Sequence, residues 1–311
     1  MADISIQELN EAMTNEPSKT IISEDERYAA ALSSIADRVK ENGHIRVILL
    51  AGPSGSGKTT TANMLADAIK RRGIRSFVVS LDDFYRNSDD PNYPTFENGE
   101  RDYECVDALN VEDVIETLTN IAEERAYSIP KYDFKAGART KETAFAPIGD
   151  GCVVIEGLHA LNPKISEQLP QDKIFKMFIS VSTNITDGGE RILSGKKLRF
   201  VRRLVRDNIY RAADARRTLE MWDNVLQGEE LYLYPFRHLA DVSLNTFHKF
   251  ELAIMKPFAD KLLTPDVTAE SEYAKIVHEA FNASVTADSA LLPETSLIRE
   301  FIPGGIYEHV Y

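Results

Sequence analysis

Arg46-Val-Ile-Leu-Leu-Ala-Gly-Pro-Ser-Gly-Ser-Gly-Lys-Thr-Thr-Thr-Ala-Asn-Met64 decides the fold of this chain. An apolar strand, Val47 to Ala51, runs into a glycine-rich turn and then into a helix beginning near Lys58. Gly52, Gly57, Lys58 and Thr59 satisfy the phosphate-loop pattern G-x-x-x-x-G-K-[ST]. Glycines let the backbone curl until successive N–H groups point into one anion-sized hollow. The helix adds the positive end of its dipole. Gly52, Pro53, Ser54, Gly55, Ser56, Gly57, Lys58, Thr59 and Thr60 are therefore expected to hold the phosphates of ATP. Lys58 would reach the β/γ-phosphates, and the Thr59 hydroxyl would ligate Mg²⁺. An ordinary Gly/Ser turn would need neither the strand before it nor the helix after it.

Working outward, the helix from Lys58 runs to about Arg72 and stops at Gly73. Arg75 to Leu81 is a second apolar strand ending in Asp82-Asp83-Phe84-Tyr85, and Cys152 to Ile155 is another, ending in Glu156-Gly157. Ile174 to Val181 and Ala240 to Leu244 complete the strand set. Helices are expected at about 107–125, 188–211, 217–227, 249–263 and 270–284. Ser128–Phe134 and Thr143–Pro147 suggest a small hairpin, and residues 86–104 a long loop of the kind that serves function. Upstream, residues 1–22 read as an irregular extension. Ser23 and Glu26 then form a capping box that opens an amphipathic helix over 24–42.

Strands alternating with helices around a phosphate loop predict an α/β fold: a P-loop NTPase-type parallel sheet with helices on both faces. Helical N- and C-terminal extensions would occupy 1–43 and 246–311, the latter packed on a central domain over 44–245. Within that domain a lid is expected at about 188–217.

The bulk numbers exclude several classes. The net charge of −13 argues against nucleic acid as the main partner. No apolar run approaches the ~20 residues of a membrane span, and the acidic N-terminus lacks a signal-peptide core. Two cysteines, Cys105 and Cys152, are too few for a disulfide framework and suggest a reducing, cytoplasmic setting. The six histidines lack zinc-ligand spacing. Between Arg191 and Arg217 there are ten Lys/Arg against Asp207 and Asp214, a balance of +8 that leaves −21 for the rest. One basic segment on an acidic protein suits a small polyanion held in one place. Nothing here argues for or against a homo-oligomer.

Asp82 and Asp83 emerge where open α/β sheets bind ligands. A carboxylate there could accept the proton of an attacking hydroxyl, or both could be solvated loop acids. Glu156 closes a strand near the loop and could hold Mg²⁺ or simply hydrogen-bond the loop. Arg199, Arg202, Arg203 and Arg206 share a helix face at i, i+3, i+4, i+7. Lacking interleaved acids, that face reads as a phosphate clamp that stabilises transition-state charge.

Together these pieces resemble the uridine kinase family, within the uridine kinase/phosphoribulokinase group. The resemblance rests on Gly52-Pro-Ser-Gly-Ser-Gly-Lys-Thr-Thr60, Leu81-Asp-Asp-Phe-Tyr85, Tyr132-Asp-Phe134 with Arg139, and Ile155-Glu-Gly-Leu-His-Ala160. It continues through Arg202-Arg-Leu-Val-Arg-Asp207, Arg217-Thr-Leu219 and Pro235-Phe236 to Asp241, covering about residues 44–245. It implies an ATP-dependent kinase that phosphorylates a 5′-hydroxyl of a nucleoside, uridine or cytidine first. Asp82 aligns with the family's base, and Arg202 lies in its closing lid, with Arg203 and Arg206 on the donor phosphates. Asp83, Tyr85, Glu104, Tyr132, Arg139 and Arg199 fall on the acceptor side.

Three departures fall in the acceptor half. Pyrimidine-specific members carry a histidine where Gly137 stands, a ribose-contacting aspartate where Glu104 stands, and a glutamine where Met221 stands. A sugar, another nucleoside or a pantothenate-like alcohol is the alternative acceptor. A nucleotide-driven ATPase or switch is the alternative class; no Asn-Lys-x-Asp guanine-reading motif occurs.

Overall fold

The computed structural model describes residues 2–95 and 99–307; the centre of the 86–104 loop, at 96–98, lies outside the described residues. β1 (Ala2–Ser5) leads into α1 (Ile6–Asn15), which Ser5 caps by accepting the Glu8 N–H at 3.0 Å. α2 (Pro17–Asn42) opens with proline in its first turn, where a missing N–H costs nothing, and stops at Gly43 in the left-handed region. Then come β2 (Val47–Ala51), α3 (Lys58–Lys70), β3 (Ser76–Ser80) and α4 (Val111–Ala122). The hairpin β4 (Tyr127–Asp133)–β5 (Ala138–Phe145) precedes β6 (Cys152–Glu156), a short α5 (Pro163–Ser166) and β7 (Ile174–Ser180). A second hairpin, β8 (Thr183–Asp187)–β9 (Glu190–Leu193), leads into α6 (Gly195–Arg211) and α7 (Ala215–Tyr232). β10 (Val242–Asn245), α8 (Glu251–Leu262), α9 (Pro265–Glu270) and α10 (Glu272–Asn282) follow.

Five strands form one parallel sheet in the order β10–β7–β2–β6–β3. β2 is buried at every residue because both faces are covered. Ile48 and Leu50 enter one core with α2, α3, α6, α8 and α10, while Val47, Leu49 and Ala51 enter the other with α4 and α5. The period of two along a strand thus serves two helical layers. The expected α/β architecture, with helices at both ends of the chain, holds.

Two expectations about local structure fail. Residues 2–22 are regular, not irregular: Ile6, Leu9, Met13 and Ile21 are buried, and each such side chain contributes about 1.5–3 kcal/mol on burial. α2 therefore starts at Pro17, and Ser23 caps nothing; its hydroxyl donates to the Thr20 carbonyl within the helix. The basic segment is likewise not helical from 188. Gly188 and Gly189, both at positive φ (56° and 88°), turn the β8–β9 hairpin. β8 also pairs in parallel with β1, making a second, three-stranded sheet ahead of α6.

Candidate active site

The carboxyl ends of β2, β3 and β6 sit side by side, with Leu50 and Ser80 both in register with Glu156. The phosphate loop, Asp82 and Glu156 therefore open onto one edge of the sheet. In the loop, Gly55 (φ 71°) and Gly57 (φ 90°) adopt the left-handed backbone that side chains resist. Lys58 folds back across the hollow, its Nζ 3.3 Å from the Pro53 carbonyl oxygen. Ser56 Oγ is buried with no hydrogen-bond partner among the described residues.

Charged side chains hold the loop from below. Glu229 of α7, fully buried, accepts the Ser54 N–H at 2.9 Å and takes Arg199 in a two-pronged pair at 2.7 and 2.8 Å. Arg199 also donates to the Ser54 carbonyl at 2.7 Å. Arg202 pairs with Glu251 of α8 and donates to the Gly55 carbonyl at 3.2 Å. Arg199 and Arg202 are 1% and 0% exposed. The expected open face of four arginines is therefore split. Arg199, expected on the acceptor side, and Arg202, expected in the lid, are each held by a buried carboxylate and by loop backbone.

The other two arginines face a different partner. Arg203, Arg206 and Arg211 converge on Asp207, at 3.2, 2.7 and 3.5 Å. Burial alone would raise the Asp207 pKa, but the three guanidiniums hold it below the usual carboxylate range. Arg203 Nη1 reaches the Ser54 hydroxyl at 3.0 Å, so three cations around one anion border the loop. Arg211 was not expected from the sequence.

Asp82 lies in the 3-10 turn Leu81–Phe84 and keeps its side chain open to solvent. Desolvation by the protein around the cleft raises its pKa, with Lys58 and Arg211 opposing. Glu156 is 6% exposed, and burial pushes it up to about 7, with Lys58 opposing and Asp82 adding. Glu104 is likewise pushed up to about 7 by burial, against the pull of Arg203. Three carboxylates thus crowd the one lysine.

The set fits Mg²⁺. Thr59 and Glu156 offer hard oxygen donors beside a phosphate cradle, the donor type Mg²⁺ takes. Among the described residues no three His, Cys, Asp or Glu form a metal cage of their own; Mg²⁺ completed by phosphate and water does not need one.

The acceptor-side expectations divide. Tyr85, Tyr132 and Phe134 stand ring to ring at 5.7, 5.8 and 5.1 Å, and Phe134 is 66% exposed. Glu104 packs on α7, where a Cβ at Gly228 would sit 2.5 Å from its own Cβ. Asp83, by contrast, binds Lys131 at 3.1 Å and accepts the Tyr132 N–H at 3.3 Å, pinning the hairpin. Arg139 pairs with Asp113 and donates to the Phe84 and Tyr85 carbonyls at 3.1 and 3.2 Å. Both hold the hairpin and the 84–85 backbone in place. Gly137 is at φ 63°, and a Cβ there would meet Ser88 Oγ at 2.6 Å; the 86–90 loop occupies the room a larger side chain would take.

The model of the Phosphoribulokinase / Uridine kinase family matches residues 47–253. A uridine kinase from Lactobacillus johnsonii is 26% identical over 209 residues, 67% of this chain and 90% of that protein. One from Staphylococcus haemolyticus is 28% identical over 199 residues, 63% of this chain and 85% of that protein. Among solved structures, that of a possible uridine kinase from Bacillus stearothermophilus is 18% identical and covers 68% of this chain and 99% of that chain, at a TM-score of 0.41.

Proposed function

The chain belongs to the phosphoribulokinase/uridine kinase family, and from that premise we propose that it transfers the γ-phosphate of ATP to a hydroxyl of a small molecule. A nucleoside 5′-hydroxyl, of uridine or cytidine, is the first candidate, in line with the names of its relatives. The observation that carries the reading is Asp82. It stands in the cleft under the electrostatic influence of Lys58 and of Arg206 and Arg211, between a phosphate loop and an aromatic wall.

The loop N–H groups and Lys58 hold and orient the β- and γ-phosphates. Mg²⁺, held by Thr59 and Glu156, supplies charge neutralisation on the phosphate oxygens when bound. Asp82 takes the proton of the acceptor hydroxyl as its oxygen bonds to the γ-phosphorus and the bond to ADP breaks. Arg203, Arg206 and Arg211, which converge on Asp207 at the loop's edge, are the cations offered to the transferring phosphoryl group. Tyr85, Tyr132 and Phe134 offer faces to a planar ring, and Glu104 offers a hydrogen-bond acceptor to a hydroxyl. With Gly137 in place of a histidine, base reading would rest on stacking more than on edge contacts. The two free cysteines fit a reducing, cytoplasmic setting, and no helix among the described residues is long and apolar enough to cross a membrane.

The test is ADP release from Mg·ATP with and without a panel of nucleosides, sugars and pantothenate-like alcohols. Release stimulated by one class names the acceptor. Release that is the same with every acceptor and with none means an ATPase and overturns the kinase reading.

A further inference from the structure

The C-terminal segment 296–302 runs along the phosphate loop. Leu297, Ile298, Phe301 and Ile302 anchor it in the core. Leu297 lies so close to Gly57 that a Cβ there would meet its Cδ2 at 2.8 Å. The Phe301 ring sits 5.1 Å from the Arg202 guanidinium. Between these anchors the Glu300 carboxylate, 7% exposed, accepts the N–H of Thr60 at 2.8 Å.

Thr60 is the third residue of α3, directly after the Lys58-Thr59 pair. Its N–H is among those a helix leaves unpaired in its first turn. In a phosphate loop such N–H groups cradle the nucleotide's α/β-phosphates. A carboxylate at a helix N-terminus is favourable by itself, so a plain cap would explain the bond. One feature argues for more. The cap arrives from 240 positions away, on a segment packed against the loop built to receive phosphate.

We propose that Glu300 is a built-in competitor for the donor nucleotide: its carboxylate holds a phosphate-binding N–H that ADP or ATP must take over. The C-terminal segment then sets the affinity of the phosphate loop for nucleotide. The inference rests on the donor-site reading given above.

The experiment is Mg·ADP binding by calorimetry to the full chain and to Glu300→Ala, which has no side-chain acceptor for the Thr60 N–H, with thermal melts of both. The expected result is a Kd about tenfold lower for Glu300→Ala, the shift produced when a competing state about ten times more populated is removed. An unchanged or higher Kd in the folded variant overturns the inference and leaves the donor site standing. If neither protein binds Mg·ADP, the donor-site reading fails and this inference with it. Should Glu300→Ala not fold, Glu300→Asp, one methylene shorter, is read the same way.

Discussion

Arg202 and Glu251 meet as a two-pronged pair with neither side chain exposed, Arg202 Nη2 lying 2.7 Å from one Glu251 oxygen and Nε bonded to the other. The same guanidinium donates to the Thr246 carbonyl at 2.7 Å and to the Gly55 carbonyl at 3.2 Å. α8 and the phosphate loop are thus joined through one side chain. Removing either partner leaves an uncompensated buried charge, a loss of about 3–5 kcal/mol. Arg202→Met is expected to lower the denaturant midpoint by that order, and a second change, Glu251→Met, to recover much of it. If Arg202→Met keeps full stability and loses only turnover, Arg202 is catalytic and not structural.

Asp82→Asn keeps the shape of the side chain and removes the proton acceptor. Transfer is expected to fall by about 10²–10⁴-fold while Mg·ADP affinity stays near that of the parent. Turnover that survives the change takes Asp82 out of the role of base.

Gly228 tests the acceptor wall. A Cβ there would sit 2.5 Å from the Glu104 Cβ, so Gly228→Ala must push Glu104 toward the cleft, with an overpacking cost of about 1–3 kcal/mol. The expected signature is a raised KM for the acceptor with donor affinity held. Equal loss of both would show that the change travels through Glu229 to the loop.

The raised carboxylates give a pH dependence of definite sign. Glu104 and Glu156 rise from the ordinary 4.5 to about 7 in the folded chain. Between those values the native state keeps protons that the unfolded chain has released, so stability falls as pH rises through this window. Glu156→Gln is expected to flatten the fall seen in urea midpoints between about pH 5 and pH 7.5. Mg·ADP should restore stability most at the upper end, where the charge is present. A wild type and a variant with parallel pH profiles would show that Glu156 does not carry the effect.

The sequence made the sheet and its phosphate loop readable because both are local: a buried apolar run, a glycine-rich turn, a helix start. The same holds for Asp82 and Glu156, which follow strands directly. The N-terminal segment carries a local signal as well, with Ser5 accepting the Glu8 N–H ahead of Ile6, Leu9 and Met13 at helical spacing, but its polar residues mask it. Gly188-Gly189 announced a hairpin that the surrounding basic residues masked. The fate of the arginines was not readable. Arg199, Arg202, Arg203 and Arg206 share spacing and type, and only their partners set them apart: Glu229 and Glu251, 30 and 49 residues away, for the first two, and Asp207 for the others. Glu300, too, carries no local mark of its contact with Thr60.

The pairing of β1 with β8 bears on how this chain reaches its structure at all. Ala2 lies opposite Thr183, and the Asn10 side chain bonds the backbone of Ala283 and Val285. α1 also packs on α2, its neighbour in sequence, so that contact forms locally, while the pairing of β1 with β8 joins residues 181 positions apart. Contacts so distant in sequence are slow to form, and late closure of exposed apolar surface invites aggregation in a chain of this length.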